Sequence, residues 1–136
     1  MTTDAHRLAQ AFIAALSAGD LPDTLLTDDM QVWTTSSRQW GGGEAYQGGV
    51  RLLGALFPEG YRFTVHAVTA EDDRAVIEAE AEGRFGDGVL YTNTYVFIIR
   101  HRGGKIASVA EHFDPTPVRE VFVPRMQAWL AARPGG

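Results

Sequence analysis

Polar side chains recur at alternate positions in the second half of the chain: Glu78, Glu80 and Glu82, then Tyr91, Asn93 and Tyr95, then His112 and Asp114. Residues two apart on a β-strand share a face, so each set presents its groups together. Carboxylates and histidine can move protons, while tyrosine and asparagine can donate to an oxygen on which charge develops. Together they suit proton abstraction next to a carbonyl. Asp114 is the candidate base, its pKa raised by apolar neighbours such as Phe113 and Phe97, with His112 or Glu80 assisting. Two glutamates near Asp114 would repel it and push one pKa upward, giving an acid/base pair. Tyr95, Asn93, Glu82 and Tyr91 are the candidate substrate contacts, and Trp33 and Trp40 a candidate aromatic rim or lid.

Each of these groups also has a plainer use. Asp114 before Pro115 and Thr116 fits a helix cap. Alternating glutamates fit a solvated sheet face, and strand tyrosines fit cross-strand packing. Asn93 is the least ordinary, because asparagine is a poor strand former and a tertiary role must offset that. His66 and His112 lie on strands, but two histidines without a third ligand make a weak metal signal, and no metal site is expected. Gly41-Gly42-Gly43 does not precede a phosphate-cradling Lys-Ser/Thr.

The elements that must position these groups follow from periodicity and turn chemistry. Leu8, Phe12, Ile13 and Leu16 recur at helical spacing, predicting a helix over Thr3–Ala18 stopped at Gly19. A short helix over Pro22–Leu26, a strand over Met30–Thr34 and a polar loop over Thr35–Gly43 follow. Glu44–Leu56 reads as a helix ended by Pro58 and Gly60, with Tyr46, Val50 and Leu53 on its apolar side. Tyr61–Ala70 alternates Tyr61, Phe63, Val65 and Ala67 against polar residues, as a strand does. Three long strands end at Pro115 and Pro117, and a final helix runs over Val118–Ala132 before a fraying tail, Pro134-Gly135-Gly136. Helices gathered on one bent, mixed sheet make an α+β fold, with a cone-shaped curved sheet wrapped around the N-terminal helices and a one-ended cavity. Which face of the long strands lines that cavity stays open. Ala75, Ile77, Ala79 and Ala81 oppose the glutamates and suit either a helix contact or a dimer interface.

The chain has 136 residues, 45% apolar and 21% charged, with net charge −5 and no cysteine. These are globular values, and one domain over residues 1–136 is expected. Without a Lys/Arg cluster no nucleic-acid partner is expected. Apolar runs such as Tyr95–Ile99 are too short to span a membrane. The absence of cysteine and of a signal-like N-terminus leads to a cytoplasmic expectation.

This order, with Tyr91-Thr-Asn-Thr-Tyr95, Gly104-Lys105-Ile106 and Glu111-His112-Phe113-Asp114, resembles the nuclear transport factor two-like superfamily. More narrowly it is similar to the SnoaL-like and ketosteroid-isomerase-related branch. Asp114 matches the strand-end aspartate that the resemblance makes an acid or base. Glu80 and Glu82 fall where the epoxide hydrolases carry Arg-x-Asp, and the first helix has Phe12 but no tyrosine, which argues against those two chemistries. The resemblance implies an enzyme needing no cofactor, acting on an apolar carbonyl-bearing molecule (polyketide, terpenoid or steroid-like) by isomerisation, cyclisation or dehydration. It also implies a homodimer through the sheet. The rival is a non-catalytic binding or interaction module. Its mark would be a carboxylate at position 114 turned outward to cap the final helix.

Overall fold

The computed structural model describes residues 3–133; the tail expected to fray lies outside them. Helix α1 spans Asp4–Ala18, with the Thr3 hydroxyl accepting from the His6 N–H and Gly19 closing it at φ 72°. At that turn the two backbones nearly touch: a Cβ on Gly19 would lie 3.1 Å from Gly54 Cα. Strand β1 (Leu26–Thr34) leads through the short β2 (Trp40–Gly42) into helix α2 (Gly43–Leu56). Strands β3 (Tyr61–Glu71), β4 (Arg74–Arg84), β5 (Leu90–Arg102) and β6 (Lys105–Phe113) form an antiparallel meander. The sheet order is β2-β1-β6-β5-β4-β3, with β1 and β6 parallel. This is a curved, unclosed mixed sheet of the α+β class, with helices on its concave face.

Helix α1 lies across β3, β4 and β5. It buries Leu8, Phe12 and Leu16 against Ala75, Ile77 and Ala79 of β4, with Phe97 and Ile99 of β5. The small residues of β4 therefore serve a helix contact. A second apolar cluster gathers Phe57, Tyr61, Ala81, Phe85 and Tyr91 with Phe122, Met126 and Trp129 from the chain's end.

Several elements differ from the sequence expectation. The short helix is one 3₁₀ turn, Asp23–Leu25. Strand β1 begins at Leu26, four residues early, paired to Ile106; its register against β6 then slips before Gln31. That irregularity, with Asp28 and Asp29 inside, hides the period. The expected loop contains β2, held by pairing of Trp40 to Trp33. In β3 the pairing passes from Val65–Ala79 to Ala67–Glu78, leaving His66 as an extra residue. Such a bulge flips the alternation beyond it, so Ala67 turns outward beside Glu78 while Val68 and Ala70 turn inward. The final helix starts early as α3 (Pro115–Pro117), widens into a π turn over Val118–Phe122 and continues as α4 (Val123–Ala132). Pro124, with no N–H to give, sits where the regular helix resumes.

The strand position of Asn93 has a backbone explanation. Ladder pairing of β5 with β6 ends at Tyr95–Phe113. Two residues further on, the Asn93 side chain accepts from the Asp114 N–H and donates to the Asp114 carbonyl, both at 3.0 Å. Its Oδ1 also accepts from the Thr94 N–H, and its Nδ2 donates to the Tyr91 hydroxyl. A buried side-chain amide thus extends the ladder by one rung. Asn93→Ala leaves those partners unmatched and should lower stability by about 1–3 kcal/mol, read from the midpoint of urea unfolding. An unchanged midpoint would contradict the clamp.

Candidate active site

A cavity of about 690 Å³ opens between α2, β1, the ends of β5 and β6, and the C-terminal helix. Its walls carry Leu16, Val32, Val50, Leu53 and Met126 with the rings of Phe63, Tyr91, Tyr95, Phe113 and Phe122. Thr34, Ser36, Ser37 and Gln39 bring uncharged polar groups, and Trp40, 49% exposed, stands on the open side. Among the described residues that line it, Glu111 is the one carrying a formal charge.

Glu111 reaches the cavity because Val109, Glu111 and Phe113 share the inward face of β6, with Glu111 opposite Phe97 of β5. Tyr46 of α2 meets it from the other wall, its hydroxyl donating to Glu111 Oε1 at 2.9 Å. Burial pushes the Glu111 carboxyl up to about 7, and the Tyr46 hydrogen bond opposes that rise only in part. The Tyr46 hydroxyl is itself held well above its ordinary pKa, by burial and then by the neighbouring carboxylate. It stays a donor throughout the physiological range.

A second polar pair lies on the sheet wall. The hydroxyls of Tyr61 and Tyr95 are 2.6 Å apart. Burial raises both pKa values, and that of Tyr91 as well. When Tyr61 donates to Tyr95, the Tyr95 proton is free to face the cavity. The site thus holds a carboxyl poised near neutrality together with a neutral phenol donor.

The groups singled out in the sequence divide between two faces. Tyr91, Tyr95 and Trp40 line the cavity. Glu80, Glu82 and Asp114 lie instead on a polar groove of about 380 Å³ on the opposite side of the sheet, with Arg62 and Thr64. Glu80 Oε1 is 3.5 Å from His66 Nε2, and Glu82 Oε1 is 3.4 Å from Arg62. Asp114 is exposed, its Oδ1 accepting from the Thr116 N–H as the cap of α3. His112 is exposed on the outer face, its ring 4.8 Å from that of Trp33. Asn93 is buried in the clamp described above. The expected gathering of Asp114, His112 and Glu80 around one cavity therefore does not occur, because strand parity sends His112 and Glu80 outward and Asp114 caps α3 just beyond the end of β6.

Glu111 and Tyr46 carried no role in the sequence reading. A signal for Glu111 existed: it sits between Val109 and Phe113 on one face, an acid in an apolar register. For Tyr46 only its place on the apolar side of α2 was visible. Among the described residues no three His, Asp or Glu side chains gather as metal ligands, and no helix is long and apolar enough to cross a membrane.

Residues 9–109 match the family model of the SnoaL-like domain. No curated protein matches the chain significantly. Among solved structures, a nuclear-transport-factor-two-like protein from Anabaena variabilis is 26% identical, covering 82% of this chain and 87% of its own, at a TM-score of 0.70. An LEH-like epoxide hydrolase of M. tuberculosis is 19% identical over 97% of this chain and 98% of its own, at 0.70. A protein of ketosteroid-isomerase-like fold from Catenulispora acidiphila, in complex with trimethylamine, is 19% identical over 87% and 94%, at 0.69. The last two likenesses bear on fold alone.

A carboxyl whose folded pKa exceeds its unfolded value binds an extra proton in the native state between the two, so stability falls as pH rises through that window. For Glu111 the window runs from the ordinary 4.5 to about 7. The fall should be about 2–3 kcal/mol at 1.36 kcal/mol per unit. Urea midpoints of wild type and Glu111→Gln across pH 4.5–8 should diverge accordingly, the variant losing this fall. Parallel profiles would refute the perturbed carboxyl.

Proposed function

The chain belongs to the SnoaL-like domain family, and from that premise we propose that it is an acid/base enzyme acting on an apolar, carbonyl-bearing small molecule. The observation that carries this reading is Glu111, a carboxyl poised near neutrality in an apolar cavity, facing a sheet wall that bears the Tyr95 hydroxyl. Ionised Glu111 takes a proton from the carbon next to the carbonyl. The C–H electron pair becomes the new C=C bond, and the carbonyl electrons move to oxygen, where Tyr95 donates a hydrogen bond. In a β,γ-unsaturated substrate the product is a dienolate, and protonated Glu111 returns the proton to its γ carbon as the C=O re-forms and the double bond moves into conjugation, completing an isomerisation. The same enolate, attacking a second carbonyl or expelling a hydroxide with a proton, serves cyclisation or dehydration. Tyr46 holds the Glu111 carboxyl toward the cavity. The ring-lined walls suit a polyketide, terpenoid or steroid-like skeleton.

Asp114 was the base expected from the sequence, and its cap of α3 is the feature that would mark a binding module. Glu111, three residues earlier on β6, brings a carboxyl inside the cavity in its place. Exchange of the α-protons of 2-tetralone in D₂O, followed by NMR, tests the reading. Wild type should accelerate exchange, with a rate that rises through about pH 7 as Glu111 ionises, and Glu111→Gln should lose about 10²–10⁴-fold. Equal rates for the two proteins would leave the binding module as the better account.

We further propose a homodimer through the outer face of β4, β5 and β6. Support comes from Val96, 37% exposed there, and from the partly covered Ile98 and Trp33 beside it. Sedimentation at micromolar concentration should give twice the chain mass of 14.8 kDa; a monomer would contradict it.

A further inference from the structure

Once ionised, Glu111 is a negative charge in a largely apolar enclosure, and among the described residues no cation pairs with it. Its polar contact is the Tyr46 hydroxyl of α2. Facing it from β5 are Tyr91 and Tyr95, with Tyr61 of β3 behind Tyr95, all neutral phenols. Thr34 of β1 and Ser36, Ser37 and Gln39 of the following loop are uncharged, and among the described residues no Lys, Arg or His lines the cavity. A buried carboxylate lacking a counter-charge is costly, and truncation experiments on buried pairs show how strongly such a charge favours a partner. The surrounding rings add to this, because aromatic quadrupoles attract a desolvated cation.

We propose that the cavity is also a selective site for hydrophobic ammonium compounds, which bind by pairing their positive charge with ionised Glu111. A compound of this kind supplies the missing counter-charge and keeps its apolar substituents against the walls. It therefore excludes the carbonyl substrate and removes Glu111 from proton transfer, acting as a competitive ligand. The inference needs only the cavity and the placement of Glu111, not turnover.

Calorimetric titration with phenyltrimethylammonium and its neutral isostere tert-butylbenzene separates charge from shape. Binding of the charged probe requires ionised Glu111, so its apparent affinity should rise about 30-fold from pH 5.5 to 8.5, the change in the ionised fraction of a group titrating near 7. The isostere should show no such rise. Glu111→Gln should lose the rise for the charged probe while still binding the isostere, which shows the cavity intact. Equal affinity of the two probes at pH 8.5, or a charged preference retained in Glu111→Gln, would overturn the proposal. Loss of tetralone exchange with cation binding intact would sink the enzymatic reading and leave this one standing.

Discussion

Helix α1 can lie in the bend of the sheet only where the strands beneath it offer small or flat side chains. Strand β4 offers Ala75, Ile77 and Ala79 on one face, and the helix takes that face. This contact settles more than packing. Because neighbouring strands are locked in register and side chains alternate, the choice made at β4 is inherited by β5 and β6. Tyr91, Tyr95 and Phe97 must then point inward with Val109, Glu111 and Phe113, while Glu78, Glu80, Glu82 and His112 must point out. One steric preference thus decides which carboxylate meets the cavity.

The carboxyl that arrives there is unlike those left outside. Glu80 and Glu82 are exposed, beside His66 and Arg62, and such surface pairs contribute little. Glu111 has a phenol for its partner and apolar rings for its surroundings. That arrangement raises its proton affinity without neutralising it permanently. A group so placed can exchange a proton with a neutral substrate or attract a cation, and both behaviours draw on the same missing counter-charge. The proposed chemistry and the proposed ligand preference are therefore two consequences of one burial.

Regular elements were legible where their period was clean. The stripe of Leu8, Phe12, Ile13 and Leu16 marked α1, and the unbroken alternation of β4 marked a long strand. Legibility failed where the period was interrupted. His66 shifts β3 by one residue, the slip before Gln31 obscures the start of β1, and Trp40–Gly42 becomes a strand only because β1 is there to pair with it. Asn93 was legible as an anomaly, but its clamp on Asp114 joins residues 21 apart and depends on where the β6 ladder ends.

Most of the order of helices and strands, and the two alternating sets of polar groups on the long strands, could be read from the chain. Those follow from local periodicity and turn chemistry, which each segment carries alone. Packing settles which set faces the cavity, that Glu111 rather than Asp114 enters it, and that Tyr46 meets it from a helix 65 residues away. The reason is that a strand's two faces are equivalent until something packs on one of them. Parity is a local property, but its meaning is assigned by the helix across the sheet.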